Sequence, residues 1–312
     1  MPDPTTQAIP QQIGVTVFER GWLSANNILI HGNDGSSALI DSGYCTHATQ
    51  TQALVAQALG DRPLDLLLNT HLHSDHCGGN AALQSSYPGL RTLIPPGAAQ
   101  AVSLWDLDAL TFEATGQTCP HFRYDGLLLP GTEIELGTAC WQVHGAKGHD
   151  PHAIVLFETT SKVLVSGDAL WQNGFGVVFP ELEGQSAFDD VAETLDLIES
   201  LAPITVIPGH GAVFRDVTHA LQRARSRLDQ FQASPQRHLR HAQKVLIKFR
   251  LLEWQRISPT ALLDWVMATP YLRDALPAGS SPDEYSDWLE VLLTELENSG
   301  ALKRTCDGIE NA

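Results

Sequence analysis

The chain has 312 residues, which is long enough for one large domain or for a larger and a smaller one. Hydrophobic residues make up 43% and charged residues 18%, so a sizeable core can form and global disorder is not expected. The net charge of −17 argues against broad binding of nucleic acid, and no apolar run reaches the ~18 residues of a membrane span.

The first half of the chain alternates segments typical of strands with segments typical of helices. Strands are predicted at GVTVFE (14–19), NNILIHG (26–32), SALIDSG (37–43), LDLLLNT (64–70) and RTLIP (91–95), and helices at 47–59 and 79–86. The run at 64–70 is largely apolar, as expected for a strand that is covered on both faces. Residues 103–123 are mixed in character, and we expect an inserted loop or short helices over a site.

The second half continues with strands and then becomes helical. Strands are predicted at TEIELG (132–137), ACWQVHG (139–145), AIVLFET (153–159), KVLVSGD (162–168) and ITVIPGHG (204–211), and helices at 186–201 and 213–232. Ser186 is the predicted N-cap of the first of these helices. Hairpin-like pairs occur among the alternating strands and helices, which favours sheets packed together with helices outside over a simple doubly wound sheet.

The sequence ASP at 233–235 marks the predicted boundary between a catalytic domain at 1–234 and a small helical domain at 235–312. Helices are predicted there at 236–255, 259–268 and 282–298, followed by SGALKR as a small hairpin or wing. Residues 215–250 carry nine basic and two acidic side chains. We interpret this basic stretch as the solvated face of a long helix, with phosphate contact as the alternative.

The cysteines and the N-terminus bear on the cellular location. Five cysteines, an odd number without CxxC spacing, fit reduced thiols in the cytoplasm better than a disulfide framework. The opening MPDPTTQAIPQQ has no basic region followed by an apolar stretch, so no signal peptide is predicted. We therefore expect a cytoplasmic protein without a membrane segment.

Residues that can bind a metal are crowded into NTHLHSDHCGGN, at the end of a predicted strand. Within six positions this stretch holds His71, His73, Asp75 and His76, and two glycines follow that let the backbone bend. Three more such residues come just after apolar strands or turns: His149 in GAKGHD, Asp168 in VLVSGD and His210 in VIPGHG. A single histidine would be interpreted as an ordinary polar residue of the surface, but the set as a whole predicts a metal site.

The ordered motifs HxHxDH, GH, SGD and PGHG resemble those of metallo-β-lactamase-superfamily hydrolases over residues 14–215. The resemblance implies an α/β (α+β) fold, a four-layer αββα sandwich. Antibiotic-destroying members typically have cysteine where this chain has Asp168, so the resemblance is to glyoxalase II, lactonases and RNase-type members. Residues 235–304 resemble the winged-helix-like appendage of some members, including a β-lactamase-like endoribonuclease.

The resemblance also implies a dinuclear site and a role for each ligand. His71, His73 and His149 would bind one divalent metal, Asp75, His76 and His210 the second, and Asp168 would bridge both. Zinc is the expected metal, with iron or manganese as alternatives at the second position. A metal-bridging hydroxide would be the nucleophile, with Asp75 and Asp168 as the catalytic residues.

Three nearby residues have two interpretations each. Asp41 is either a carboxylate that supports a ligand histidine or a residue of a strand-end turn. We interpret Cys77 as a packing residue rather than a ligand. His152 either faces the pocket or simply starts a strand.

Three classes of function remain open on the sequence. The favoured one is hydrolysis of a small thioester, ester or lactone, because the acidic first part would not attract a polyanion. The alternative is a metal-dependent endoribonuclease or phosphodiesterase that uses the basic stretch to bind RNA. A nucleic-acid partner is therefore disfavoured but remains an open alternative. A non-catalytic binding protein is disfavoured because every implied ligand is present. A homodimer is also left open.

Overall fold

Two β-sheets form the centre of the fold, in a computed structural model that describes residues 13–312. The first sheet contains β1 (Val15–Phe18), β2 (Asn27–His31), β3 (Ser37–Ile40), β4 (Leu66–Leu68), β5 (Arg91–Ile94) and β6 (Gly126–Leu127), in that order. Strands β1 to β3 are antiparallel, and β3 to β6 run parallel. Residues 1–12, on which the signal-peptide prediction depends, lie outside the described part.

The second sheet follows along the chain and is mostly antiparallel. Its order is β7 (Glu133–Leu136), β8 (Ala139–Gly145), β9 (Ile154–Glu158), β10 (Val163–Gly167) and β11 (Thr205–Pro208). Only the pair β10 and β11 is parallel within this sheet. The ten strands predicted from the sequence are confirmed, usually in shorter form, whereas β6 was missed because two residues carry no periodicity.

Helices surround the two sheets. Along residues 13–312 they are α1 (Ala48–Leu59), α2 (Ser74–Cys77), α3 (Asn80–Ser86), α4 (Ala99–Leu104), α5 (Phe179–Leu182), α6 (Phe188–Leu201), α7 (Val217–Ala233), α8 (Pro235–Trp254), α9 (Pro259–Ala268), α10 (Pro270–Arg273) and α11 (Pro282–Asn298). None of these helices is both long enough and apolar enough to cross a membrane.

Buried side chains define four layers. One apolar cluster, which includes Ile30, Trp141 and Leu156, lies between the two sheets. A second cluster joins the first sheet to α1 and α3, and a third joins the second sheet to α6 and α7. Each sheet therefore has one face against the other sheet and one face under helices, which confirms the αββα sandwich.

The C-terminal part has an apolar cluster of its own. It packs α8, α9 and α11 against a small antiparallel sheet of β12 (Arg256–Ile257), β14 (Gly308–Asn311) and β13 (Leu302–Thr305). The three predicted helices and the hairpin are confirmed. Only Ser234 separates α7 from α8, and Phe249 of α8 packs against Leu23 and Tyr44 of the first part. The division into domains at residue 235 stays a prediction.

The start of α6 differs from the sequence prediction. The helix begins at Phe188, and Ser186 does not cap it. Instead, the Glu181 carboxylate accepts hydrogen bonds from the backbone N–H groups of Ala187 and Phe188, at 2.6 and 3.1 Å. Glu181 lies on α5, a helix that the sequence pattern did not predict, so the cap comes from outside the local pattern.

Candidate metal centre

The seven predicted ligands meet at one edge of the sandwich, because each follows a strand or a strand-end turn. His71 and His73 lie between β4 and α2, and Asp75 and His76 belong to α2. His149, Asp168 and His210 come after β8, β10 and β11. Their donor atoms form three overlapping groups, each with all atoms within 4.8 Å: His71, His73 and His149; His71, His76 and Asp168; and Asp75, His76 and His210.

The first group contains three imidazoles at very short range. Nδ1 of His73 lies 2.8 Å and Nε2 of His71 lies 3.2 Å from Nε2 of His149. His149 uses its Nδ1–H to donate to the Val177 carbonyl at 2.6 Å, so its Nε2 presents a lone pair to the other two rings. Lone pairs that converge in this way repel each other unless a cation lies between them, and zinc is commonly bound by three imidazoles.

The second group combines Asp75, His76 and His210. Nδ1 of His76 is 2.8 Å from an oxygen of Asp41, which turns Nε2 toward the centre. That Nε2 atom is buried and has no hydrogen-bond partner in the described structure. Nε2 of His210 lies 3.0 Å from a carboxylate oxygen of Asp75. An orphaned buried nitrogen beside a carboxylate fits a divalent cation.

Asp168 lies between the two groups. Its Oδ1 is 3.4 Å from Nε2 of His76, and its Oδ2 is 3.5 Å from Nε2 of His149. The indole N–H of Trp171 donates to Oδ1 at 3.1 Å and holds the carboxylate in this orientation. Gly209 packs directly against this carboxylate, where a Cβ atom would collide with Oδ1. The carboxylate therefore lies close to ligands of both groups.

Burial sets the charge of these side chains. It lowers the pKa of His73 and His149 to about 4. Burial and then the neighbouring imidazoles place the pKa of His71 well below its usual value. Burial also acts against the charged form of His76, but Asp41, Asp168 and Asp75 outweigh it and raise the pKa of that ring. The three-histidine group is thus neutral near pH 7, which is the form that binds metals.

Asp41 combines both interpretations left open by the sequence. Its backbone is left-handed, with φ of 58°, a conformation that occurs at strand-end turns. Its carboxylate also accepts from the N–H and the hydroxyl of Thr70, at 2.9 and 2.8 Å, and contacts His76. This buried network orients the His76 ring.

The two glycines after the cluster act differently from the prediction. Gly78 and Gly79 have φ of −61° and −84°, so neither makes a bend that only glycine allows. A Cβ at Gly79 would collide with the carbonyl of Ser42, and a Cβ at Gly78 with the backbone nitrogen of Cys45. The glycines are therefore needed for close packing of α2 against the loop after β3.

Several aromatic residues around the ligands were missed by the sequence analysis. Trp22 stacks on His210, with ring centroids 5.4 Å apart and planes at 11°. Trp171 meets the same ring edge-on, and Phe179 meets His73 edge-on at 4.7 Å. Isolated aromatic residues carry no sequence signal for a site, because only the tertiary structure brings them to the ligands.

The other candidates lie outside the centre. His152 is exposed and belongs to none of the three donor groups found among residues 13–312. Cys77 is buried in an apolar cluster with Leu72 and Ile94, and its thiol lies 3.3 Å from the His73 carbonyl oxygen. The thiol therefore packs, as interpreted from the sequence.

A cavity of about 500 Å³ opens onto the metal centre. Its walls include His73, Asp75, His149, Asp168 and His210. Residues 103–123, predicted to lie over a site, contribute Thr111, Phe112, Thr115 and Gln117 to the lining. Helix α8 of the C-terminal part supplies another wall.

The fold and these motifs define a known class of protein. Residues 20–210 match the family model of the metallo-beta-lactamase superfamily, and the chain belongs to this superfamily. A hydroxyacylglutathione hydrolase of Xanthomonas campestris pv. campestris is 33% identical over 115 residues, which are 33% of this chain and 43% of that protein. Hydroxyacylglutathione hydrolase GloC of Haemophilus influenzae is 25% identical over 64% of this chain and 89% of its own length.

Solved structures share the fold over almost the whole chain. A beta-lactamase domain protein from Burkholderia ambifaria has a TM-score of 0.60 at 22% identity and covers 98% of this chain and 93% of its own. A metallo-beta-lactamase family protein from Thermus thermophilus has a TM-score of 0.57 at 19% identity, with 96% and 99% covered. The C-terminal part thus belongs to the shared fold.

Proposed function

We propose that the protein is a dinuclear metal-dependent hydrolase that cleaves a small thioester, ester or lactone. The observation that carries this proposal is the convergence of three ligand groups at the end of one cavity. The matched stretch spans 43% of the Xanthomonas campestris relative, so the activity in the names of these relatives supports the proposal only by similarity. Their name describes a hydrolase of a glutathione thioester.

In the proposed site, each ligand keeps the role that its position favours. His71, His73 and His149 would hold one divalent ion and Asp75, His76 and His210 the other, and Asp168, which lies between the two groups, would bind both. Zinc suits the first group, and zinc, iron or manganese the second, which has a carboxylate. When bound, two such ions would supply an activated water and polarise the scissile oxygen.

The protein's own side chains prepare this chemistry. Val177 and Asp41 fix the ring orientations of His149 and His76, so that the correct nitrogens face inward. The Asp75 carboxylate lines the cavity, where it would orient the attacking water. Trp22 and Phe179 cover ligand rings and exclude bulk water, which strengthens the electrostatic interactions within the site.

The charges of the basic stretch favour a small substrate over a nucleic acid. Arg225 pairs with Asp196 and Glu199, each at 2.7 Å. Arg240 and Lys244 share Glu295, at 2.9 and 3.2 Å. Cations that already have carboxylate partners are poor phosphate ligands, because a phosphate would have to displace these partners.

Metal content tests the dinuclear centre. We expect two metal ions per chain after reconstitution, with the three-histidine group the harder to empty by a chelator. Elemental analysis after incubation with excess zinc, iron or manganese provides the measurement. At most one ion per chain under all three conditions would contradict the dinuclear site.

A substrate panel tests the reaction class. Thioesters, lactones, β-lactams and phosphodiesters should be assayed on the metal-replete protein, and we expect turnover of thioesters or lactones. RNA binding should be measured in parallel as a function of salt. RNA cleavage together with affinity that falls steeply with salt would support the nuclease alternative instead.

A further inference from the structure

The cavity has a second polar region, formed by helices α7 and α8. Arg227 of α7 and His241 and Lys244 of α8 line the same cavity as the metal ligands. Leu246 of α8 lines the cavity as well, and the other α8 residues that line it recur at helical spacing: His241, Lys244, Val245, Lys248, Phe249 and Leu252. This face of the helix therefore combines the basic residues Lys244 and Lys248 with apolar residues such as Phe249.

Arg227 differs from the other arginines of the basic stretch described above. Its guanidinium packs over Gly174 and donates one long hydrogen bond, 3.4 Å, to the Phe175 carbonyl. Among residues 13–312 no carboxylate lies within ion-pair distance of it, whereas Arg225 on the same helix has two. Guanidinium carries five donors and stays charged, so a partly buried one without an anion is an incomplete interaction.

A neutral imidazole and an ammonium group of α8 lie beside Arg227 in the cavity wall. His241 and Lys244 lie close enough to affect each other, since burial and then Arg227, His238 and Lys244 lower the pKa of His241 to about 4. The carboxylate of Glu295 is shared by Lys244 and Arg240. Lys248 does not add to this region, because it donates to carbonyl oxygens of Ala301 and Ala312.

We propose that Arg227, which has no carboxylate partner among residues 13–312, forms an anion subsite that binds a carboxylate or phosphate group of the substrate, with His241 beside it in the cavity wall. The substrate would be a thioester or ester with an anionic end, whose carbonyl lies at the metal centre while that end meets Arg227. Apolar residues of the same cavity, such as Val245 and Phe249, would contact the segment of the substrate between its carbonyl and its anionic end. This inference rests on the proposed hydrolase function.

Matched thioesters test the subsite. S-acetyl derivatives of N-acetylcysteamine, 3-mercaptopropionate and phosphopantetheine carry no charge, a carboxylate and a phosphate. The wild type should have a lower KM for at least one anionic substrate than for the neutral one, and the preferred arm identifies the anion. Equal KM values for all three would overturn the proposal.

Arg227→Gln should raise the KM for the preferred anionic substrate about 10- to 100-fold, the usual loss for one charged hydrogen-bonded contact. The KM for the neutral substrate and kcat for both should stay within about twofold. Arg227→Lys should restore part of the preference. Arg223→Gln is the matched control, because exposed Arg223 donates to the Gln172 carbonyl and does not line the cavity. Equal effects of the two glutamine variants would contradict the subsite.

A binding measurement separates failure of the subsite from failure of the proposed function. If the wild type hydrolyses none of the thioesters, calorimetry with free 3-mercaptopropionate and phosphopantetheine still tests the anion site. Binding of either thiol by the wild type and its loss in Arg227→Gln, at unchanged melting temperature, would support the subsite without the hydrolase. No binding, or equal binding by both proteins, would overturn it.

Discussion

The two ends of the cavity are built in opposite ways. At the metal centre, short polar side chains follow strand ends, and buried partners fix each ring, as Val177 does for His149 and Asp41 for His76. At the α7–α8 end, long side chains such as Arg227 and Lys244 come from helix faces and have few fixed contacts. Rigid ligands suit chemistry that needs fixed atoms, whereas flexible cations suit recognition of one group among several substrates.

The most severe test of this comparison is Asp168→Asn. The amide has the same shape but removes the charge that faces both ligand groups, so we expect kcat/KM to fall by about 10³-fold or more with the fold retained. Activity of the metal-replete protein and its circular dichroism give the measurement. Exposed Asp61→Asn serves as control, and near-normal turnover of the Asp168 variant would show that Asp168 is not a bridging ligand.

A weaker effect is expected for Asp41→Asn, which touches the centre only through His76. Loss of the carboxylate that orients this ring should weaken binding of the second metal about 10- to 100-fold and leave the three-histidine ion in place. Competition with a chelator measures each affinity. Asp125→Asn is a matched control, since Asp125 accepts a backbone N–H from Thr92 at 2.8 Å but belongs to no ligand group. Equal losses in both variants would assign Asp41 a purely structural role.

The smallest expected effect is on stability. It concerns the contact between His238 of α8 and Val178, in the loop beside the candidate metal centre. His238 is buried, and its Nε2 accepts from the Val178 N–H at 3.0 Å. Burial lowers its pKa to about 4, below the ~6.5 of the unfolded chain, so only the unfolded state gains a proton between these values. The free energy of unfolding should therefore decrease as the pH is lowered through this window. The contribution of His238 to this decrease should be about 1 kcal/mol between pH 7 and pH 5.5.

The substitution His238→Gln retains a hydrogen-bond acceptor for the Val178 N–H and removes the titratable imidazole. Urea unfolding at several pH values should then show a flatter pH dependence than in the wild type. Exposed His152→Gln, which replaces a histidine and leaves the Val178 contact in place, is the control. If the stability of His238→Gln depended on pH as steeply as that of the wild type, the His238 ring of the wild type would not stay neutral in the folded protein.

The sequence, through the resemblance of its motifs to a known family, predicted the four-layer fold and the seven residues of the candidate centre. Ligands such as His71 and Asp168 lie within a few positions of strand ends, and the parallel and adjacent strands of such a fold carry their C-terminal ends to one edge. A motif that directly follows a predicted strand therefore indicates at which edge of the fold its side chains lie. The helical tail was equally visible, because its apolar periodicity is strong.

Only the tertiary structure decided what surrounds the centre. Trp22 reaches His210, Glu181 caps α6, and Arg227 joins the cavity through contacts that no local pattern specifies. In each of these cases the partners come from separate elements, and their meeting depends on how whole layers pack. The pattern of residues 215–250 indicated a basic helix surface, but only packing separated the paired Arg225 from Arg227, since the presence of a carboxylate partner depends on the neighbouring helix.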